Sequence, residues 1–524
     1  MTNKKKIGLM AVALSFLFAG FVSGQQKDEL QLTLEDSILR ALKNNLNLAM
    51  SVYDPEIADA TLTQAKEVFM PSFQLSYGNQ KNENPPYWWL QGAGTIVDKY
   101  QDYNVAIAQQ IPTGGNISVS LDSYRSRTNQ SFQLINPRYG STMRLDFSQP
   151  LLRNFGFKVS RRQILIAQNN IDISENQLRE TVLDTIYIVQ EAYWNYVYAI
   201  ENYNVAQQSL KLGRDLLSKN QKEVEVGQLA PIEILNAQAT VAAREADLIQ
   251  AEGLMKRSEE VLKSIINLAA EPDALGKKLT PVDRPEFKPM DISREDALQQ
   301  ALARRPDLKI TAKSLESNEL NVSVAKNQML PGLDLKFSYW SPGISGDRLL
   351  YLDNNPFLGV IIGTEKGSAT DSLRDALKSV YKNWTVGLTL SLPLGNILTR
   401  SNYALARLQM RQTMARLKTQ VQQAGLEVSD AITTIETNAK RVAATRVARE
   451  LAQKRLEAEG KKMLVGLTTN YFVLQYQEAL ATAQSQEIKA VVDYNLALAR
   501  LEKATGTALE SRNIKLSQVF ENKR

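Results

Sequence analysis

Residues 224–235 read VEVGQLAPIEIL, and residues 463–474 read MLVGLTTNYFVL. In each, a Val-Gly pair interrupts a run that is otherwise helical in pattern and is followed by a second such run. Upstream of the first, residues 158–225 contain no proline and a single glycine, Gly213. Leu178, Val182, Ile186, Val189, Tyr193, Tyr196, Ile200 and Tyr203 recur there every three or four residues. A mean spacing of about 3.6 marks one apolar stripe on a helix, and packing against neighbouring helices explains it. The spacing predicts long helices over 158–225 and 396–464, turns at 226–230 and 465–468, and return helices over 231–268 and 469–505. At about 1.5 Å per residue the outgoing helices are about 100 Å long and the returning ones about 57 Å. A further helix, 306–330, opens with Pro306, which suits a first helical turn, and adds about 37 Å. One continuous helix out and two shorter ones back would then match in length, with short segments near 35–46, 294–305 and 507–519 at the break.

The same landmarks occur twice in one order. Leu32-Thr33-Leu34-Glu35-Asp36 through Ala41-Leu42 corresponds to Ile292-Ser293-Arg294-Glu295-Asp296 through Ala301-Leu302. Each copy begins with a hydroxyl residue three before an acid, as at a capped helix start. Pro71-Ser72-Phe73 corresponds to Pro331-Gly332-Leu333, Gln149-Pro150-Leu151 to Leu392-Pro393-Leu394, and Val226-Gly227 to Val465-Gly466. The offset shrinks along the chain, so the first copy carries extra residues between its strands. The chain reads as a duplication, with repeat 1 over 25–290 and repeat 2 over 291–524.

Between the landmarks the period changes to two. Phe73, Leu75 and Tyr77 alternate with polar residues, as do Met143, Leu145 and Phe147. In the second copy Leu333, Leu335, Phe337 and Tyr339 alternate with Asp334, Lys336 and Ser338, and Trp384, Val386, Leu388 and Leu390 with Thr385, Gly387 and Thr389. Strands are expected at 72–78, 104–111, 116–124 and 141–149, then at 333–340 and 384–392. Such half-apolar strands suit a soluble sandwich or a membrane barrel. Two details favour the barrel: charges on the polar face (Arg144, Asp146, Asp334, Lys336), and Trp340 and Trp384 at one rim of a hairpin, a candidate aromatic girdle. Segments 79–103 and 341–380 read as surface loops, the second long enough to be a candidate lid.

The N-terminus reads as an export signal over 1–24. Lys4-Lys5-Lys6 precede an apolar run from Ile7 to Val22, and cleavage is expected after Gly24. No later stretch approaches a spanning helix, and no cysteine is present to carry a lipid. Among its 524 residues the chain has neither Cys nor His, which excludes disulfides, thiolate nucleophiles, zinc sites of the usual kind and His-based catalysis. The acids are scattered as on solvated faces, and there is no Gly-rich phosphate loop, so neither catalytic residues nor cofactor-binding or metal sites are expected. The 62 basic residues exceed the 56 acidic ones by six, and Lys4, Lys5 and Lys6 account for half of that excess. That balance does not point to nucleic acid.

The duplicated order of short helix, helix, strands, long helix, glycine turn and shorter helix resembles the TolC-type outer-membrane efflux proteins over nearly the whole mature chain. The resemblance implies an α+β membrane protein: a homotrimer whose strands form one outer-membrane β-barrel, continuous with a long α-helical barrel in the periplasm. It implies a passive exit duct for efflux or type I secretion, with no cofactor, in contact with outer-membrane lipid and working with a periplasmic adaptor protein and an inner-membrane transporter. Val226, Gly227, Gln228 and Leu229, with Val465, Gly466, Leu467 and Thr468, would be the adaptor-docking tips. On residue type alone these glycines could equally be turn residues only. Glu233 matches an acidic position of the family's entrance, whereas Phe472 and Gln475 stand where an aspartate pair is known, and Thr468 where an arginine is. A hydrophobic or amide constriction built from Glu233, Phe472 and Gln475 is the expectation, although Phe472 could simply pack between helices. If the additional hairpin at 104–124 joins the barrel, a trimer has eighteen strands rather than twelve; otherwise it forms a cap. The wider barrel is the reading taken here. A secreted coiled-coil spacer or adhesin with a β head is the competing class.

Overall fold

The computed structural model describes residues 29–272, 276–512 and 514. The expected signal peptide at 1–24 and most of the segment after Arg512 lie outside the described residues. The chain runs through β1 (Glu29–Leu32), α1 (Leu34–Asn44), α2 (Leu46–Ser51), α3 (Tyr53–Lys66), β2 (Ser72–Asn84), β3 (Ile96–Gln110), β4 (Asn116–Thr128) and β5 (Ile135–Pro150). Then come α4 (Phe157–Ser160), α5 (Arg162–Glu225), α6 (Ile232–Ile265), β6 (Lys278–Pro281), α7 (Arg294–Arg304) and α8 (Pro306–Gln328). The remainder is β7 (Gly332–Tyr351), β8 (Ile361–Glu365), α9 (Ala369–Leu377), β9 (Asn383–Ser391), α10 (Ile397–Leu464), α11 (Asn470–Thr505) and α12 (Ala508–Ser511). Among the described residues, no helix is long and apolar enough to cross a membrane.

These elements fall into two compact units that cut across the repeats. The first holds the residues up to Asn44 with Val189–Glu286 and Thr445–Val492; the second holds Asn45–Ile188, Phe287–Ala444 and the chain from Asp493. In the first unit Val189, Tyr193 and Tyr196 of the α5 stripe are buried, and these tyrosines do more than pack. The Tyr193 hydroxyl donates to the Leu32 carbonyl and to Asp283, each at 3.1 Å. The Tyr196 hydroxyl donates to the Leu279 carbonyl at 2.7 Å. Those carbonyls belong to β1 and β6, which pair in parallel as a ribbon. Burial pushes both phenol pKa values up, so the hydroxyls stay protonated donors. The sequence reading missed this ribbon because four-residue strands carry too little period to register.

In the second unit small residues let helices approach closely: Ala297 and Ala301 of α7 meet Val428 and Ile432 of α10 and Ala504 of α11. Its sheet runs β2-β3-β4-β5-β7, every neighbour antiparallel, and β7 then pairs with β9 along its first half and with β8 at its end. The hairpin β3–β4 is therefore part of the sheet, between β2 and β5.

Two expectations are corrected. Segment 79–103 is not mainly loop, because β2 continues to Asn84 and β3 begins at Ile96. Segment 341–380 is not a free lid either: β7 continues to Tyr351, and β8 and α9 follow. Helix α9 lies on the strands, with the Ser372 and Ser141 hydroxyls 3.1 Å apart. A Cβ on Gly343 would come within 2.0 Å of the Ser372 carbonyl, so glycine is what permits the contact. Past Tyr339 the alternation breaks down at Ser341, Pro342, Gly343, Ser345 and Gly346, and pairing with β5 holds the strand extended there.

Candidate functional site

The sheet has two faces of opposite character. Phe73, Ile107, Val119, Leu145, Tyr339 and Trp384 stand side by side across six strands. One residue along, Ser72, Ala108, Ser118, Asp146, Ser338 and Thr385 form the matching row on the other face. The apolar row is exposed at Phe73 (67%) and Trp384 (68%), which a water-facing surface would not favour. The polar face satisfies its charges locally. Asp146 accepts from the Ser338 hydroxyl at 2.5 Å and lies 4.0 Å from Arg144.

Trp340 and Trp384 reach the same end of their hairpin, but register separates them. Trp384 pairs with Tyr339, on the apolar face, whereas Trp340 pairs with Asn383 and with Arg144. The Arg144 guanidinium sits 5.5 Å from the Trp340 ring. Trp340 thus belongs to the polar face and not to a girdle; the strand period of two puts neighbours on opposite sides.

At the other functional region, in the first unit, both glycine turns have the same backbone. Gly227 (φ +76) donates to the Val224 carbonyl at 3.0 Å, and Gln228 to Glu223 at 2.8 Å. Gly466 (φ +72) donates to Met463 at 3.1 Å, and Leu467 to Lys462 at 3.0 Å. This pairing closes a helix on a left-handed residue, which glycine enters without steric cost. Beyond the adjoining backbone, no neighbouring group lies within 4 Å of where a Cβ would stand at either glycine, so conformation alone requires them. Around the turns Val226, Val465 and Leu467 are exposed, as are Ile232, Leu235 and Tyr471.

Seven residues before each glycine a buried polar side chain grips the turn, and sequence reading overlooked both. Asn220, fully buried, accepts from the Asn470 amide at 2.8 Å and donates to the Glu233 carbonyl at 3.4 Å. Glu459 occupies the equivalent place in the second copy. It accepts from the Thr468 hydroxyl at 2.5 Å and pairs with Lys462 at 3.2 Å. The Thr468 hydroxyl, aided by Lys462, holds the Glu459 carboxyl below its ordinary value.

A buried arginine joins the two copies. Arg244 of α6, 5% exposed, donates to the Ser209 carbonyl at 2.8 Å, to Gln477 at 3.0 Å and to the Leu474 carbonyl at 3.2 Å. Burial pulls its pKa down, while Glu478 and Asp247 act in the opposite sense. Gly213 makes room for it: a Cβ there would lie 3.1 Å from the guanidinium. The one glycine of the long helical stretch is a packing residue, a role that only the facing side chain reveals.

Of the expected constriction residues, Phe472 is exposed and meets Tyr471 edge to face at 5.5 Å. Gln475 is exposed, and Glu233 is half-buried with one carboxylate oxygen lacking a hydrogen-bond partner among the described residues. A basic side chain in position to neutralise Glu233 is not found there among the described ion pairs.

Comparison with known proteins agrees with this geometry. The family model described as outer membrane efflux protein matches residues 97–268 and 297–507. The outer membrane efflux protein BepC of Brucella suis is 22% identical over 94% of this chain and 90% of its own. The alkaline protease secretion protein AprF of Pseudomonas aeruginosa is 22% identical over 95% of this chain and 89% of its own. The crystal structure of the Campylobacter jejuni CmeC outer membrane channel superposes with a TM-score of 0.64 at 18% identity, covering 93% of this chain and 90% of that one. The open-state Neisseria gonorrhoeae MtrE channel gives 0.60 at 18% identity, covering 91% and 89%.

Proposed function

Because this chain belongs to the outer membrane efflux protein family, we propose that three copies close a single barrel in the outer membrane and form the exit duct of a tripartite efflux or type I secretion assembly. The protein is an outer-membrane channel and not an enzyme. The observation that carries the trimer is the sheet itself: apolar on one face, polar and charged on the other, and open at β2 and at β9. Backbone groups on those edges would be unpaired in hydrocarbon, which a membrane-spanning sheet does not tolerate. Joining β9 of one copy to β2 of the next removes both edges. With six spanning strands per copy, the closed barrel has eighteen. Its polar face then lines the lumen, and its apolar face, with Trp384 at the rim, meets lipid.

The tips are proposed to dock a periplasmic adaptor, which in turn recruits an inner-membrane transporter. What supports this is apolar surface at Val226, Val465 and Leu467, on hydrogen-bonded glycine turns. Gln228, Leu229 and Thr468 complete the two turns. Glu233, Phe472 and Gln475, at the start of the return helices, are proposed to line the narrow entrance, closed by aromatic and amide groups more than by an acidic ring. Selection of cargo is left to the transporter. AprF is an alkaline protease secretion protein and OpmQ of Pseudomonas putida a pyoverdine export protein, so passive ducts of this family serve cargo of very different size.

Single-channel recording in planar bilayers, with oligomer mass in detergent, tests the duct. Discrete conducting steps from a trimer are expected; a water-soluble, silent protein would return the reading to a secreted coiled-coil spacer. The native chain has no cysteine, so cysteines placed along β2 (Gln74) and β9 (Thr385) report closure without background. Covalent trimers are expected for some register of such pairs, and their absence across all registers would overturn the eighteen-stranded barrel.

A further inference from the structure

The apolar face of the sheet changes character towards the ends of β2, β3 and β4 that lie away from the helices. Along β2 the outward residues run Phe73, Leu75, Tyr77, Asn79, Lys81. Tyr77 packs on Tyr103 of β3 with ring centroids 5.1 Å apart. Four residues beyond, Lys81 pairs directly with Lys99, and Lys99 directly with Arg127. Arg125 stands on the same face, its guanidinium 5.9 Å from the Tyr139 ring. Three cations thus sit abreast on three neighbouring strands, an arrangement that repels itself unless something negative lies over it.

These three strands supply only one negative charge on that face. Asp98, Asp102 and Asp122 occupy the alternate positions of β3 and β4 and face the lumen side. Glu83 is the lone acid near the row, and it pairs with Lys81. Among the described ion pairs, none involves Lys99, Arg125 or Arg127, and all three are exposed. The register is unbroken through β2, β3 and β4, so these faces are not exchanged by a bulge. Four residues of strand rise about 13 Å, or about 10 Å along the membrane normal for a tilted barrel strand. The row therefore lies one headgroup layer beyond the tyrosine pair that marks the interface.

We infer that Lys81, Lys99 and Arg127, flanked by Arg125, form an outward-facing site for the phosphates of a phosphorylated outer-leaflet glycolipid of the lipid A type. This rests on the reading that the apolar face meets lipid, and it adds a specific ligand to that surface. Two phosphates across neighbouring strands would neutralise the ladder, and the acyl chains would run down over Tyr77, Leu75 and Phe73. Inner-leaflet anionic phospholipid carries the same phosphate chemistry but meets the opposite rim.

The test uses the purified trimer in detergent, with native mass spectrometry for bound lipid and thermal melting for its effect. Diphosphoryl lipid A is expected to bind and raise the melting temperature, its phosphate-free form to bind at least tenfold more weakly, and phosphatidylglycerol to match the latter. The triple variant Lys81→Gln, Lys99→Gln, Arg127→Gln should lose lipid A binding at least tenfold, yet melt no lower than the native protein when lipid is absent. Lys99→Glu, which places a carboxylate between two cations, should fold and likewise lose binding. Lipid A retained within twofold by either folded variant, or equal binding of the phosphate-free form or of phosphatidylglycerol, would overturn the site. Bilayer conductance of the same variants keeps the questions apart: steps that persist while lipid is lost concern this site alone, whereas silence in the native protein strikes the channel reading beneath it.

Discussion

The hairpins that turn at Gly227 and at Gly466 use the same backbone hydrogen bonds, and the side chains holding them differ in kind. The first is gripped by buried amides, Asn220 and Asn470, with the Arg244 guanidinium spanning carbonyls of α5 and α11. The second is gripped by a charged carboxylate, Glu459, held by a hydroxyl and an ammonium near solvent. At the positions corresponding to Gly213 and Arg244, the second copy has Ala452 and Ala483. Duplication preserved what the backbone needs, and the clasps then diverged. A buried neutral or guanidinium clasp keeps its strength with pH, whereas an ionisable carboxylate clasp does not.

That contrast can be broken experimentally, and hydrogen exchange at the tip amides reads each hairpin separately. The largest effect is expected from Arg244→Ala, which removes the buried guanidinium that ties Ser209, Gln477 and Leu474 together and leaves a cavity in its place; local opening of the first hairpin should become easier by about 3 kcal/mol, with the second much less affected. Equal loss at both tips would show that the arginine supports the unit as a whole. Asn220→Ala leaves Asn470 without its partner and should cost the first hairpin about 2 kcal/mol. Thr468→Val should loosen the second hairpin by less, since water can replace a hydroxyl near the surface. Gly227→Ala and Gly466→Ala should each cost about 1 kcal/mol, equally, because only a left-handed residue is at stake. Inequality there would mean that the two turns are not the same device.

The smallest effect is the one with pH. The folded Glu459 carboxyl titrates below its ordinary value of 4.5. Its contribution is therefore present above pH 4.5 and is lost as pH falls through the lower folded value. The protection factor at Gly466 and Leu467, with the intrinsic exchange rate at each pH divided out, should fall on acidification below about pH 4.5, while the amide clasp of Asn220 does not titrate. A parallel loss of protection at both tips would assign the effect to something other than this carboxylate.

Much of this was legible in the residues. The stripe from Leu178 to Tyr203 announced a packed helix, and the alternation at Phe73–Tyr77 and Leu333–Tyr339 announced half-apolar strands, because both are local periods. Trp340 was misread for a related reason. Its place at the rim follows from strand direction, but its face follows from parity, and Ser338, Lys336 and Asp334 already placed it with the polar set. Arg244, Asn220 and Glu459 carried no readable signal. A polar residue on a long helix is usually solvated, and only the helix opposite tells whether it is buried.

What the amino-acid sequence determined by itself is the set of elements, their duplication, the position of both glycine turns and the two-faced strands, since each depends on spacing within one segment. What only the tertiary structure decided is which segments meet. Asn220 finds Asn470, Gly213 yields to Arg244, α9 lies down on β5 and β7, and Lys81, Lys99 and Arg127 line up abreast. Register between strands and contact between helices are set by the summed packing of residues far apart in the chain, and no single segment contains that sum.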